Sequence, residues 1–197
     1  MKTLIFVRHG ETELNGDGDR FCGSLDPALS NKGQQEAQRA AEVLERLGLQ
    51  VDLAMTSPSR RALETARYLL PTATWQISED LRELSFGDWE GLTKEECQAS
   101  TPEAYAAWDE DAYSNPPPAG ESGIQARSRV ERILKSIEAV TARTILLVSH
   151  RTYLRLLVGL TVGVPPAEIR RRIDIQTGRI GILELRGRKA RLRALNL

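Results

Sequence analysis

The chain has 197 residues, 41% of them hydrophobic and 27% charged, and its 27 basic and 27 acidic side chains sum to a net charge of zero. This composition excludes intrinsic disorder, and the balanced charge excludes a molecule drawn as a whole to nucleic acid or to an anionic membrane surface. Two cysteines, Cys22 and Cys97, form neither a disulfide framework nor a metal-binding spacing, and no apolar run approaches a membrane span, so a reduced cytoplasmic protein is expected.

The length suits one domain, residues 1–197. Its first residues superficially resemble a leader, but the apolar stretch is short and ends in Arg8-His9-Gly10-Glu11 rather than in small residues. The same stretch reads as a first strand over 3–8. Gly16-Asp17-Gly18-Asp19-Arg20 then resembles a calcium loop in passing, without the later Glu ligand or the flanking helices, and no metal is expected there. Ser30 caps a helix through Ala37, Ala40, Ala41, Leu44 and Leu47, which Gly48 ends. A second strand is expected over 51–56. Ser57-Pro58 supplies an N-cap and a first helical proline for a helix through Arg60, Arg61, Ala62, Ala66 and Leu69, ended by Pro71.

Residues from about 80 to 120 are irregular and aromatic, with Trp89, Tyr105, Trp108 and Tyr113 before the break Pro116-Pro117-Pro118-Ala119-Gly120. They read as short helices and loops forming a lid over the carboxyl edge of a sheet, not as a separate domain. Ser122 and Gln125 form a capping box for a long helix with the stripe Ala126, Val130, Ile133, Leu134 and Ile137. A strand over 144–149 leads to His150 and a helix through Leu154, Leu157 and Val158. After Pro165-Pro166 come a short helix and strands at about 173–177, 180–186 and 190–195, with a turn at Gly187. The alternation of strands and helices implies a three-layer α/β/α sandwich with a mostly parallel central sheet, to which the C-terminal hairpin adds an antiparallel edge.

The only two histidines, His9 and His150, each follow a buried-strand pattern, and ligands of open α/β sheets lie beyond the carboxyl ends of strands. Arg8 stands beside His9, and Arg60 and Arg61 open a helix after the second strand. Planar guanidinium groups and helix N-termini suit a phosphate dianion. In such a site one neutral imidazole can attack phosphorus while the other, as a cation, stabilises the charge of the transition state, so no metal or other cofactor is required. Arg60 is expected to be solvated, and Gly10 to let the backbone approach a ligand.

Leu4-Ile5-Phe6-Val7-Arg8-His9-Gly10-Glu11-Thr12 with Asn15 resembles the signature of the histidine phosphatase superfamily, which includes cofactor-dependent phosphoglycerate mutase. The resemblance continues through Gly23–Ser30 with Gly33, Thr56–Ala66, Leu81–Gly91, and Val148-Ser149-His150 with Arg155, and so covers nearly the whole chain. It implies that His9 becomes a phosphohistidine and that Arg8, Arg61 and His150 hold the phosphate with Asn15. It also implies that Glu83 protonates the leaving oxygen, a role that needs a raised pKa; spacing alone does not choose Glu83 over Glu79 or Glu90. Candidate substrate contacts are Asn15, Cys22, Gly23 and Arg151.

The expected activity is that of a histidine acid-type phosphatase, a metal-independent phosphoric monoester hydrolase acting on a small phosphorylated metabolite. The alternatives are a cofactor-dependent phosphoglycerate mutase and a catalytically silent binder of phosphorylated ligands. Phe86-Gly87-Asp88-Trp89-Glu90-Gly91, Arg151 after His150 and the short segment between Glu83 and Ser122 resemble the phosphatase branch, which includes α-ribazole phosphatases and broad-specificity members. Selectivity is expected from Arg20, Phe21, Cys22, Glu90, Trp108, Tyr113 and Arg151. The arginines at 170–172 and 186–193 lack interleaved aromatic residues, so no nucleic acid is expected. No membrane partner is expected, and a homodimer is left open.

Overall fold

The computed structural model describes residues 1–16, 18–187 and 189–197. In chain order these form β1 (Lys2–Arg8), α1 (Glu13–Gly16), α2 (Asn31–Arg46), β2 (Leu53–Thr56), α3 (Arg60–Leu69), β3 (Trp75–Ile77), α4 (Lys94–Ser100), α5 (Pro102–Glu110) and α6 (Gly123–Ala139). Then come β4 (Thr144–Ser149), α7 (Arg151–Val162), α8 (Ile169–Arg172), β5 (Ile180–Arg186) and β6 (Lys189–Ala194). Single 3₁₀ turns occupy Glu79–Leu81, Gly87–Trp89 and Pro166–Glu168.

Side chains alternate across a strand, so an unbroken apolar run must bury both faces. In β1, Leu4 and Phe6 pack with Val130 and Ile133 of α6 and Leu154 and Leu157 of α7. Ile5 and Val7 point the other way, into Ala40 and Leu44 of α2 and Ala62 and Ala66 of α3. β4 divides in the same manner, Ile145 and Leu147 to the first core and Leu146 and Val148 to the second. Two helical layers therefore sandwich one sheet.

The strand order is β3-β2-β4-β1-β5-β6. β3, β2, β4 and β1 run parallel, β5 pairs antiparallel with β1, and β6 pairs antiparallel with β5. Exposed Lys189, Arg191 and Arg193 alternate with partly buried residues along β6, which keeps that edge soluble. β2, β4 and β1 are neighbours, with Thr56 beside Val148 and Arg8 beside Ser149. The next residues, Ser57, His150 and His9, thus leave the sheet side by side at one edge.

Local chemistry starts the helices. Ser30 accepts from Gly33 N, and both Thr93 with Glu96 and Ser122 with Gln125 form reciprocal capping boxes. Phe86, Trp89, Cys97 and Trp108, from the segment between β3 and α6, join Phe21, from the loop before α2, in a third apolar cluster, with Tyr105 packed against it.

Two expectations about local structure fail, and one short strand was not foreseen. α3 begins at Arg60 behind Ser59, not at Ser57-Pro58, because Ser57 N still donates to Val148 O of the sheet. Residues 173–177 are not a strand, since their backbone groups are taken by side chains: Ile175 O by Arg8, Gln176 N and Asp174 O by Asn196. β3 was not expected; only Trp75 of its three residues is partly buried, too little to produce alternation.

Candidate active site

Backbone bonds fix the loop leaving β1. His9 N donates to Ser149 O (3.0 Å), Gly10 N to Thr65 Oγ1 (3.1 Å), and Gly178 N to Arg8 O (3.0 Å). The expected approach of Gly10 to a ligand is instead an approach to α2, because a Cβ at Gly10 would lie 2.2 Å from Gly33 O. Glycine is needed here so that the loop can pack against the first turn of a helix.

The rings of His9 and His150 lie with centroids 5.1 Å apart. His9 Nδ1 is 2.7 Å from Gly10 O. A carbonyl only accepts, so Nδ1 carries the hydrogen and Nε2 keeps a lone pair. Burial, then the charges of Arg61 and Arg8, hold His9 well below the usual histidine range, so it is neutral near pH 7. His150 is buried and lowered for the same reasons, burial first and Arg61 next. Both imidazoles of the pair are therefore neutral near pH 7. The Nε2 of His150 lies 2.8 Å from Ser57 Oγ, while its Nδ1 has no hydrogen-bond partner among the described residues.

Arg8 reaches Ile175 O through Nη1 (2.9 Å). Burial and the nearby charge of Arg151 push it down to about 9, which leaves it cationic at neutral pH. Arg61 is 1% exposed and donates to the carbonyls of Leu25 (2.7 Å), Gly23 (3.1 Å) and Cys22 (3.3 Å). The Nε atoms of Arg8 and Arg61 are, like His150 Nδ1, buried without a partner among the described residues. Buried donors normally find acceptors, so three such atoms around His9 fit an anion. Arg60, by contrast, is exposed and pairs with Glu64, as expected.

Glu83 is 8% exposed beside the start of α7. Its carboxyl accepts from the backbone N–H of Leu84 (3.0 Å), Thr152 (2.9 Å) and Tyr153 (2.9 Å), which fixes its orientation. Arg129 braces the preceding chain by donating to Asp80 O (3.0 Å) and Arg82 O (2.9 Å).

A small pocket is lined by Arg8, His9, Asn15, Cys22, Glu83 and Arg151, among others. Arg61, His150 and Gly23 are not among its lining residues. Asn15 Oδ1 is held by Thr12 N (2.5 Å) and Thr12 Oγ1 (2.6 Å). Burial raises the Cys22 thiol to about 11, so it is no nucleophile. Gly23 N donates to Glu90, whose carboxylate also accepts from Ser24, Leu25 and Phe86 N–H; Gly23 is an anchor of its loop and not a free donor. Arg151 is paired with Asp19 at 2.9 Å. Of the expected selectivity residues, Phe21, Trp108, Tyr113 and Arg151 line a larger adjoining cavity, whereas Glu90 ties loops together and Arg20 binds Gly91 O and Glu96.

The sequence reading missed Ser57 and the Ile175 carbonyl. Ser57 stands directly after a strand, as both histidines do, and the same rule could have found it. Asp17, in the loop with a passing likeness to a calcium site, lies outside the described residues, as does Arg188. Among the described residues no group of three or more His, Cys, Asp or Glu is placed to hold a metal ion. No helix among them is long and apolar enough to cross a membrane.

The chain matches the family profile described as Histidine phosphatase superfamily (branch 1) over residues 4–197. It is 35% identical to the adenosylcobalamin/alpha-ribazole phosphatase of Escherichia coli, covering 98% of this chain and 95% of that one. It is 33% identical to a 2,3-bisphosphoglycerate-dependent phosphoglycerate mutase of Brucella melitensis, over 90% and 89% of the two chains. The solved structure of a mycobacterial glucosyl-3-phosphoglycerate phosphatase in complex with VO3 superposes with a TM-score of 0.89 at 30% identity, covering 100% of this chain and 99% of that one.

Proposed function

Because this chain belongs to the histidine phosphatase superfamily and is a phosphoric monoester hydrolase, we propose that it cleaves a small phosphorylated metabolite through a phosphohistidine at His9, without a metal ion or organic cofactor. The observation that carries this reading is the tautomer of His9. With Nδ1–H donated to Gly10 O, the unprotonated Nε2 is the nucleophile, and its depressed pKa keeps it so across neutral pH.

In the first step Nε2 attacks phosphorus, the bond to the leaving oxygen breaks, and Glu83 gives that oxygen a proton. Arg8 and Arg61 offset the charge on the equatorial oxygens, joined by His150 and Asn15. His150 acts as a neutral donor through Nδ1–H when its Nε2 accepts the Ser57 hydroxyl hydrogen. In the second step water passes a proton to Glu83, its oxygen attacks phosphorus, and the N–P bond breaks. Inorganic phosphate leaves and His9 is restored.

Single turnover of p-nitrophenyl phosphate, quenched in base, tests the scheme: an acid-labile phosphoryl group on the His9 peptide is expected. A His9→Ala enzyme that still releases p-nitrophenol at the wild-type rate ends the covalent reading. Activity is expected to persist in EDTA; loss that added metal reverses ends the metal-free reading. The likeness to the Brucella mutase favours a second reading, phosphate transfer between hydroxyls. Incubation with 3-phosphoglycerate and bisphosphoglycerate separates the two, since hydrolysis liberates inorganic phosphate and mutation yields 2-phosphoglycerate.

A further inference from the structure

Next to the phosphoryl pocket lies a cavity of about 210 Å³, and the two share Asp19, Phe21, Phe86, Arg151 and Thr152. A monoester with its phosphorus at His9 can lodge its leaving group here. Water takes about 30 Å³ per molecule, so the space suits a group of roughly seven to ten heavy atoms. Phe21 and Trp108, with ring centroids 5.3 Å apart, belong to its aromatic wall, and Leu156 and Ile169 add aliphatic surface.

The charges around this cavity are unequal. Lys94, Arg151, Arg155 and Arg170 line it, against the acids Asp19 and Glu121. Glu121 is already committed, since both its oxygens accept from Arg129 at 3.0 and 2.7 Å. Asp19 is shared between Arg151 (2.9 Å) and Lys94 (3.9 Å). Arg170 pairs with Asp109 and lies over the Trp108 ring, 4.1 Å from its centroid. Among these four cations Arg155 alone has a buried donor left over among the described residues. Its acidic partner is Asp174, at 3.0 Å and itself 65% exposed, and its buried Nε has no partner among the described residues. Asp174, the exposed partner, is well solvated, so an anion in the cavity can compete for this guanidinium. Burial and Arg151 both lower the pKa of Arg155, consistent with cationic charge crowded into a partly buried space.

We propose that the cavity selects a leaving group with an apolar face and a carboxylate, Trp108 and Phe21 holding the face and Arg155 binding the carboxylate. A planar fork matches a planar anion, which favours a carboxylate. The proposal rests on the phosphatase reading, and names the substrate class for the same site.

The test compares 3-carboxyphenyl phosphate with 3-carbamoylphenyl phosphate, esters of nearly equal shape that differ in charge, with p-nitrophenyl phosphate as a reference. The wild type is expected to favour the carboxylate about tenfold in kcat/KM, mainly through KM. Arg155→Met should bring the two esters together. Asp174→Asn, a change at an exposed side chain, should widen the preference by removing the competing acid. A purely structural tie between α7 and the 173–177 segment predicts otherwise: both variants would depress both esters alike, and that result overturns the proposal. The Asp174→Asn arm decides the matter even if Arg155→Met does not fold. Wild type that hydrolyses p-nitrophenyl phosphate yet treats the two test esters alike refutes the cavity reading alone. Turnover of none of the three refutes the phosphatase reading beneath it.

Discussion

The pocket at the strand ends and the aromatic cluster beside it are both buried, yet they differ in how their polar atoms are satisfied. Around His9, the Nε atoms of Arg8 and Arg61 and Nδ1 of His150 are hidden from solvent without partners among the described residues. In the cluster of Phe21, Phe86, Trp89, Cys97 and Trp108, the indole N–H of Trp89 donates to Thr101 Oγ1 at 2.9 Å, and the rings meet at 4.9–5.5 Å. A core that only stabilises closes its hydrogen bonds; a site for an anion leaves some of them open. The difference separates His9, whose loss should stop chemistry, from Trp89, which lines neither cavity and whose loss should destabilise the chain, while Phe21 and Trp108 of the same cluster also line the leaving-group cavity.

Two substitutions set the contrast most sharply. His9→Ala should reduce hydrolysis by about 10³-fold or more while leaving the urea midpoint near that of the wild type. Trp89→Ala should do the reverse, costing about 3–5 kcal/mol in urea unfolding while the folded fraction turns over p-nitrophenyl phosphate at near the wild-type rate. A Trp89→Ala protein that is stable but inactive would join the two regions into one functional unit.

Acid should weaken the pocket and spare the cluster. Both histidines have depressed pKa values when folded, so below the ordinary histidine value of about 6.5 the unfolded chain binds protons that the folded chain does not. Their contribution to stability is whole above that pH and is lost as pH falls toward the depressed folded values. Two such groups give a slope of up to about 2.7 kcal/mol per pH unit in that window. Unfolding measured from pH 7.5 down to 5 should show this fall, and His150→Gln should roughly halve the slope. An unchanged slope would mean that other groups govern acid stability.

A smaller effect tests the join between the regions. The Glu90 carboxylate accepts backbone N–H from Gly23, Ser24 and Leu25 on one side and Phe86 on the other. Glu90→Ala should cost about 1–3 kcal/mol and raise KM severalfold, because the loop whose carbonyls hold Arg61 loses its anchor. A changed order of preferred substrates at constant KM would instead make Glu90 a selectivity residue.

Legibility in the sequence follows from locality. The buried strands, the capped helices starting after Ser30 and Ser122, and the exposed edge of β6 could be read because periodicity and caps are properties of neighbouring residues. His9 and His150 were visible as strand-end residues, and resemblance supplied Glu83 and Arg61. The start of α3, the non-strand at 173–177 and the capture of Gly23 N–H by Glu90 were not visible. In each, a distant partner took the backbone group that local reasoning had assigned elsewhere.

By itself, the order of apolar runs and polar breaks determined that this chain makes a helix-covered, mostly parallel sheet with imidazoles at its carboxyl edge. Only the tertiary structure decided that both imidazoles rest neutral, that His9 presents Nε2, and that Arg61 is spent partly on its own loop. The reason is physical: desolvation, tautomer and bond saturation depend on atoms far apart in the chain, and packing alone brings them within range.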